Sequence, residues 1–107
     1  MTACVLVSTA TATREQAIAL TGGAVQQRLA AGAQIVGPVV SVFRHLGQYG
    51  TGEEWQVLLK ATTERYAELE AHLLERHPWD NPELCAVPIV EGADRCLDWI
   101  RESAAPA

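Results

Sequence analysis

The chain has 107 residues, 49 % of them hydrophobic, with eight Lys and Arg against thirteen Asp and Glu for a net charge of −5. That length fits one domain over residues 1–107 and leaves no room for a second. The basic residues form no stripe, which excludes a phosphate backbone as partner, so no nucleic acid is expected.

The opening "MTACVLVSTATA" has no positive n-region and too short an apolar run for a membrane span, so a cytoplasmic protein with no membrane contact is expected. Within it "ACVLVST", residues 3–9, is β-branched and apolar on both faces, the pattern of a central strand. Arg14 to Ala31 then reads as a helix with Ile18, Gly22, Val25 and Leu29 as its inward stripe. Gly22 and Gly23 each cost such a helix about 1 kcal/mol against Ala, and a close helix-to-sheet approach accounts for them better than a phosphate loop, since no GxGxxG pattern surrounds them.

Residues 32–46, "GAQIVGPVVSVFRHL", read as a long edge-like strand bent at Gly37-Pro38. "GQYGTG" supplies a turn and "EEWQVLLKAT", residues 53–62, returns as the partner strand of a long hairpin. Thr63 to Arg76 is a second helix with Tyr66, Leu69 and Leu73 on one face, Glu64 favouring its N-terminal dipole, and Pro78 ending it near His77. "ELCAVPIVEG", residues 83–92, is a last strand whose Pro88 cannot donate to a ladder and marks an edge or an irregularity. "ADRCLDWIRES" closes the chain as a short helix burying Cys96 or Leu97 with Trp99 and Ile100, ahead of a frayed tail at 103–107. The three cysteines, Cys4, Cys85 and Cys96, are too few and too widely spaced for a disulfide framework or a Cys-x-x-Cys site, and read as buried small hydrophobes.

The order is β-α-β-β-α-β with an extra C-terminal helix, so the expected fold is α+β: a ferredoxin-like βαββαβ sandwich with a long hairpin between its second and third strands. Val39, Val40, Val42, Phe43, Trp55, Val57, Leu58 and Leu59 supply more apolar surface than one small layer uses, which points to a homo-oligomer associating through that hairpin.

In this order of elements "VLVST", "QRLAAGAQI", "SVFRHLGQ", "EEWQVLLKAT", "RHPWDNPELCAVPI" and "CLDWI" together resemble the CutA family, the divalent-cation-tolerance proteins. The resemblance implies a ferredoxin-like protomer in a tight trimer of PII-like build, joined through the hairpins and linked to copper or other divalent cations. In some members, cation binding is attributed to a Cys, a His and a Glu. Here Gly32 stands where the family often has Cys, Ser8 or Thr9 where some members have another, and Arg76 precedes His77 where some have a second His. Glu83 is kept, and the hairpin's YxWEG motif reads Phe43, Arg44, His45, Leu46, Gly47.

His77 and Glu83 lie six residues apart across two prolines, a spacing at which a loop can fold imidazole and carboxylate onto one copper or zinc ion, with Asp80 or a neighbouring subunit completing the set. The competing role is architectural: His77 and Pro78 stop the helix, Trp79 and Pro82 wedge the loop against an adjoining protomer, and Glu83 caps or pairs with a base. The same segment can line an intersubunit cleft in which Lys60, Arg44, His45, Tyr49 and Trp55 supply charge and aromatic walls, with Lys60 and Arg44 suited to an anion. His45 and His72 read as surface or interface residues.

Three functions are compatible with these residues: a trimer binding a cation or small ligand at its clefts, an enzyme of specialised metabolism using His77 or Glu83 on an anionic substrate held by Arg44 or Lys60, and a signalling or structural trimer that binds a protein. Neither a nucleophile elbow nor a Cys-His signature is present.

Overall fold

A cap opens the first helix. Thr13 accepts from the Gln16 backbone N–H while the Gln16 side chain returns to the Thr13 N–H, a reciprocal Thr-x-x-Gln box. From there α1 runs Arg14–Gln26, shorter than the expected Arg14 to Ala31, because Arg28 adopts a left-handed φ of 60° and turns the chain back. The computed structural model describes residues 2–107. Its strands are β1 (Cys4–Thr11), β2 (Gly32–His45), β3 (Gln48–Thr62) and β4 (Cys85–Ile89), and α2 (Tyr66–Arg76) and α3 (Asp94–Ser103) complete the chain order. All strand pairs are antiparallel, in the order β2-β3-β1-β4, which is the ferredoxin-like arrangement with an added third helix.

Alternation along β1 and β3 sorts the side chains to two faces. Val5, Val7, Val57, Leu59 and Ala61 point to one, where they are buried with Ala17, Leu20 and Ala24 of α1 and Leu69 and Leu73 of α2. Cys4 and its register partner Ile89 point to the other and pack with Leu97, Ile100 and Ala104, so α3 covers one end of the face opposite α1 and α2. β2 and β4 are the edges, which is where Pro38 and Pro88 are tolerated.

Several expectations change. The inward face of α1 is Ala17, Leu20, Thr21 and Ala24, and Ile18 is exposed. Nothing lies within 4 Å of the space beside Gly22, whereas a Cβ on Gly23 would sit 3.2 Å from His72 Nε2, so the close approach is between α1 and α2 and not to the sheet. The hairpin turn is only Leu46-Gly47, both at positive φ, because that two-residue geometry matches the strands' twist, and "QYGTG" continues as strand. Glu64 lies in the turn before α2, leaving Glu68 in the first turn. Cys85, Cys96 and Trp99 are exposed, and of the three thiols only Cys4 is buried. The expected fraying at 103–107 also fails at its start: Ala104 is buried, and Arg28 donates through Nε to the Ala105 carbonyl at 2.7 Å.

Trp99 is half-exposed because its ring lies over Gly32: a Cβ there would come within 2.9 Å of the indole. The space that a thiol at position 32 needs is thus held by an aromatic edge. Gly32→Ala is expected to turn that ring outward at a cost of about 1 kcal/mol, read as a lowered denaturant midpoint; an unchanged midpoint would mean the ring yields freely.

Candidate functional site

Beyond Trp55, the last β3 residue paired with β1, the hairpin leaves the sheet body and projects as a two-stranded ribbon from Val39↔Glu54 to its tip. The ladder is interrupted between Val36 and Val39, and the Trp55 ring packs where a side chain on Gly37 would stand, 2.7 Å from its Cβ position. This bend aims the ribbon across the end of β1. The segment after α2 lies against the same end, and the two enclose an open groove of about 990 Å³.

One wall of the groove is the ribbon, with Ser41, Val42, Phe43, Arg44, His45, Leu46 and Glu54; the other is Pro78, Trp79, Asp80, Asn81, Pro82 and Glu83, with Ala10 at the floor. Glu54, Asp80 and Glu83 set three carboxylates against the Arg44 guanidinium, so the field in the groove favours a cation. Ser41 fixes Glu54 by donating to its Oε1 at 2.7 Å, and Arg44 donates to the Gly47 carbonyl at 3.3 Å.

His77 stands behind the second wall and sets its course. As the C-cap of α2 it has extended backbone, φ −67° and ψ 137°, the conformation a residue before proline favours. The Trp79 N–H can only donate, so its 3.1 Å bond to Nδ1 makes that nitrogen the acceptor, and the proton sits on Nε2, which donates to the Ala10 carbonyl at 2.8 Å. The imidazole therefore ties the 78–83 loop to the end of β1, with the Trp79 ring at 5.2 Å from its own. Burial lowers its pKa below the ordinary 6.5, against the Ala10 bond, which raises it, so the ring is neutral at pH 7. Thr9 Oγ1 lies 3.3 Å from Nε2, but a protonated nitrogen takes no proton from it. Ser8 meets Cys85 Sγ at 3.5 Å with no base among their hydrogen-bond partners. Neither pair has the geometry of an activated nucleophile.

The residues expected to form a site thus divide. Arg44, His45, Trp79 and Glu83 come together in the groove, and His77 supports them from behind. Lys60 does not join them within the protomer: its β1 partner is Leu6, four residues from Ala10 and about 13 Å along the strand. Tyr49 is exposed near the hairpin tip opposite Arg44, and Trp55 packs at the bend. Glu54 and Ser41 were missed, because nothing local in "SVFRHL" or "GEEW" marks them; only the ribbon's course places them opposite residues 78–83.

As a metal centre this donor set is incomplete within one protomer. Both His77 nitrogens are engaged, and among the described residues no group of three His, Cys, Asp or Glu side chains converges. Zinc and copper sites use several such ligands with a free lone pair. The residues as arranged do not fit a closed zinc or copper site, and the carboxylates of the groove are the donors left open.

The architecture is that of a ferredoxin-like α+β protein with a projecting hairpin and an acidic groove at its root. The chain belongs to the CutA1 divalent ion tolerance protein family, whose model matches residues 5–103. Over 79 residues it is 38 % identical to the divalent-cation tolerance protein CutA of Thermus thermophilus, spanning 74 % of this chain and 77 % of that one. The Cut A1 structure from the same organism superposes with a TM-score of 0.92 at 32 % identity, covering 95 % of this chain and 99 % of the other. CutA1 from Oryza sativa gives 0.91 at 27 % identity over all of both chains. No helix among the described residues is long and apolar enough to cross a membrane.

Proposed function

We propose that this protein acts as a homotrimer whose grooves hold a divalent cation or a small cationic ligand, in keeping with divalent-cation tolerance. The observation that carries the reading is the groove itself, lined by Glu54 on the ribbon and by Asp80 and Glu83 on the loop, carboxylates that do not converge into a ligand set within one protomer. Oxygen donors of this kind bind divalent cations, and Trp79 and Phe43 offer aromatic surface to a ligand with an apolar part. His77 then acts by position, holding the loop that carries Asp80 and Glu83, and a neighbouring protomer adds whatever donors complete the shell. Projecting apolar side chains on the ribbon support assembly: Val40 is 81 % and Val42 64 % exposed in the single chain. The expected place of action is the cytoplasm.

Titration calorimetry with Mn²⁺ and Ca²⁺, which carboxylate donors suit, and with Cu²⁺ and Zn²⁺ for comparison, at pH 7.5, on the wild type and on Glu54→Gln with Glu83→Gln, tests the reading. Saturable binding in the wild type, weakened at least tenfold in the double variant, is expected. Equal binding by both proteins would place the cation elsewhere, and no saturable binding by the wild type would end the cation reading.

A further inference from the structure

Among the buried polar side chains, one stands apart from everything the groove uses. His72 lies in the middle of α2 with 5 % of its surface exposed, and its Nε2 is buried with no hydrogen-bond partner. That nitrogen points at α1, where Gly23 leaves the room the ring occupies; a Cβ on Gly23 would be 3.2 Å from Nε2 and 3.4 Å from Cε1. A glycine in a helix interior is unfavourable, and here it admits an imidazole with nothing to bond to. A leucine or methionine would fill an apolar seam at less cost, since a polar atom buried without a partner is penalised.

The surroundings offer no counter-charge across the seam. The charged groups acting on the ring are Arg76, which disfavours its charged form, and Glu75, which favours it, both on its own helix and both exposed. Across the seam, the ionisable residues of α1 are Arg14 and Glu15 in its first turn, about two turns from Gly23. Beneath lie Val5, Val7, Val57, Leu59 and Ala61, none of which ionises. A proton on Nε2 would place an N–H against the backbone at Gly23 with no acceptor in reach, and a charge on a ring that is 5 % exposed.

We propose that His72 makes the α1–α2 seam an acid-sensitive latch, closed when the ring is neutral and loosened when it takes up a proton. The sign follows from burial, the leading cause, which holds the folded-state pKa below the ordinary 6.5 of the unfolded chain. Stability is therefore full above about pH 6.5, is lost as the pH falls from there toward the lower folded-state value, and levels off below it.

Two measurements on the intact assembly test this. The first is a thermal melt at pH 7.5 and pH 5 of the wild type, His72→Leu and His77→Gln, at one protomer concentration. His77→Gln is included because His77 also has a lowered pKa and titrates in the same window. The wild type is expected to lose on the order of 5 °C more than His72→Leu, and His77→Gln is expected to keep the part of the loss due to His72. The second follows the Cε1–H resonance of His72 in the wild type together with hydrogen exchange in residues 66–76, and decides the matter alone if His72→Leu does not fold. A midpoint below 6.5 accompanied by lower protection of the residue 66–76 amides at acid pH, with the intrinsic pH dependence of exchange divided out, supports the latch. Parallel melts, a midpoint at or above 6.5, or exchange in α2 that is indifferent to His72 protonation would overturn it.

Discussion

With Val40→Asp and Phe43→Asp introduced together, the protein is expected to scatter light as a single 11.6 kDa chain, whereas the proposed trimer predicts three times that mass for the wild type. Val40 and Phe43 lie on the ribbon beyond the reach of β1, 81 % and 42 % exposed, with Val42 and Leu46 also open to solvent. An isolated two-stranded ribbon is marginally stable in water, and the apolar side chains this one carries on both faces have no core to enter in a free protomer. Burying a valine or phenylalanine side chain contributes about 1.5–3 kcal/mol, and a carboxylate in its place must be desolvated as well. Even a few kcal/mol per contact lowers association by a factor of about 10³, repeated at each interface of a closed ring. The check is mass by light scattering with far-ultraviolet dichroism for the fold. A variant that stays folded and keeps the wild-type mass would show that the ribbon is not what joins the subunits.

Leu59→Ala is expected to cost about 3 kcal/mol in denaturant unfolding. Leu59 is fully buried on β3, with Val7 beside it on β1 and Ala33 on β2, and it belongs to the cluster that both α1 and α2 cover. Truncating that side chain leaves a cavity that two sheet neighbours and two helices cannot all move to fill. Leu74→Ala, on the exposed side of α2, is expected to fall within about 0.5 kcal/mol of the wild type. Both belong at one protomer concentration, because assembly adds to apparent stability. Similar losses for the two would mean that the core is not centred on β3.

Sequence and structure differ most in the helices. In α1, "AIALTGGAV" offers small or apolar residues at nearly every position, so a period alone cannot choose the inward face; Ala17, Leu20, Thr21 and Ala24 were selected by how closely the helix approaches its neighbours. Trp99 is as hydrophobic as Ile100, but α3 buries only Leu97 and Ile100 and lays the indole over Gly32. Those choices depend on contacts with residues distant in the chain, which no local pattern contains.

What the sequence by itself determined is the order of elements, the edge positions of the two proline-bearing strands and the family, because alternation, helical spacing, Gly and Pro act over a few residues. It also marked the His77-to-Glu83 segment as the place where chemistry-bearing groups gather. Tertiary structure alone decided what those groups do. The Ala10 carbonyl, 67 residues from His77 in sequence, takes the Nε2 proton in a hydrogen bond and makes the imidazole a tether. The bend at Gly37 carries Ser41 and Glu54 into the groove that Asp80 and Glu83 also line. Lys60 is kept out of the groove of its own protomer by register, since a position along a strand is set by its partner strands and not by its own side chain.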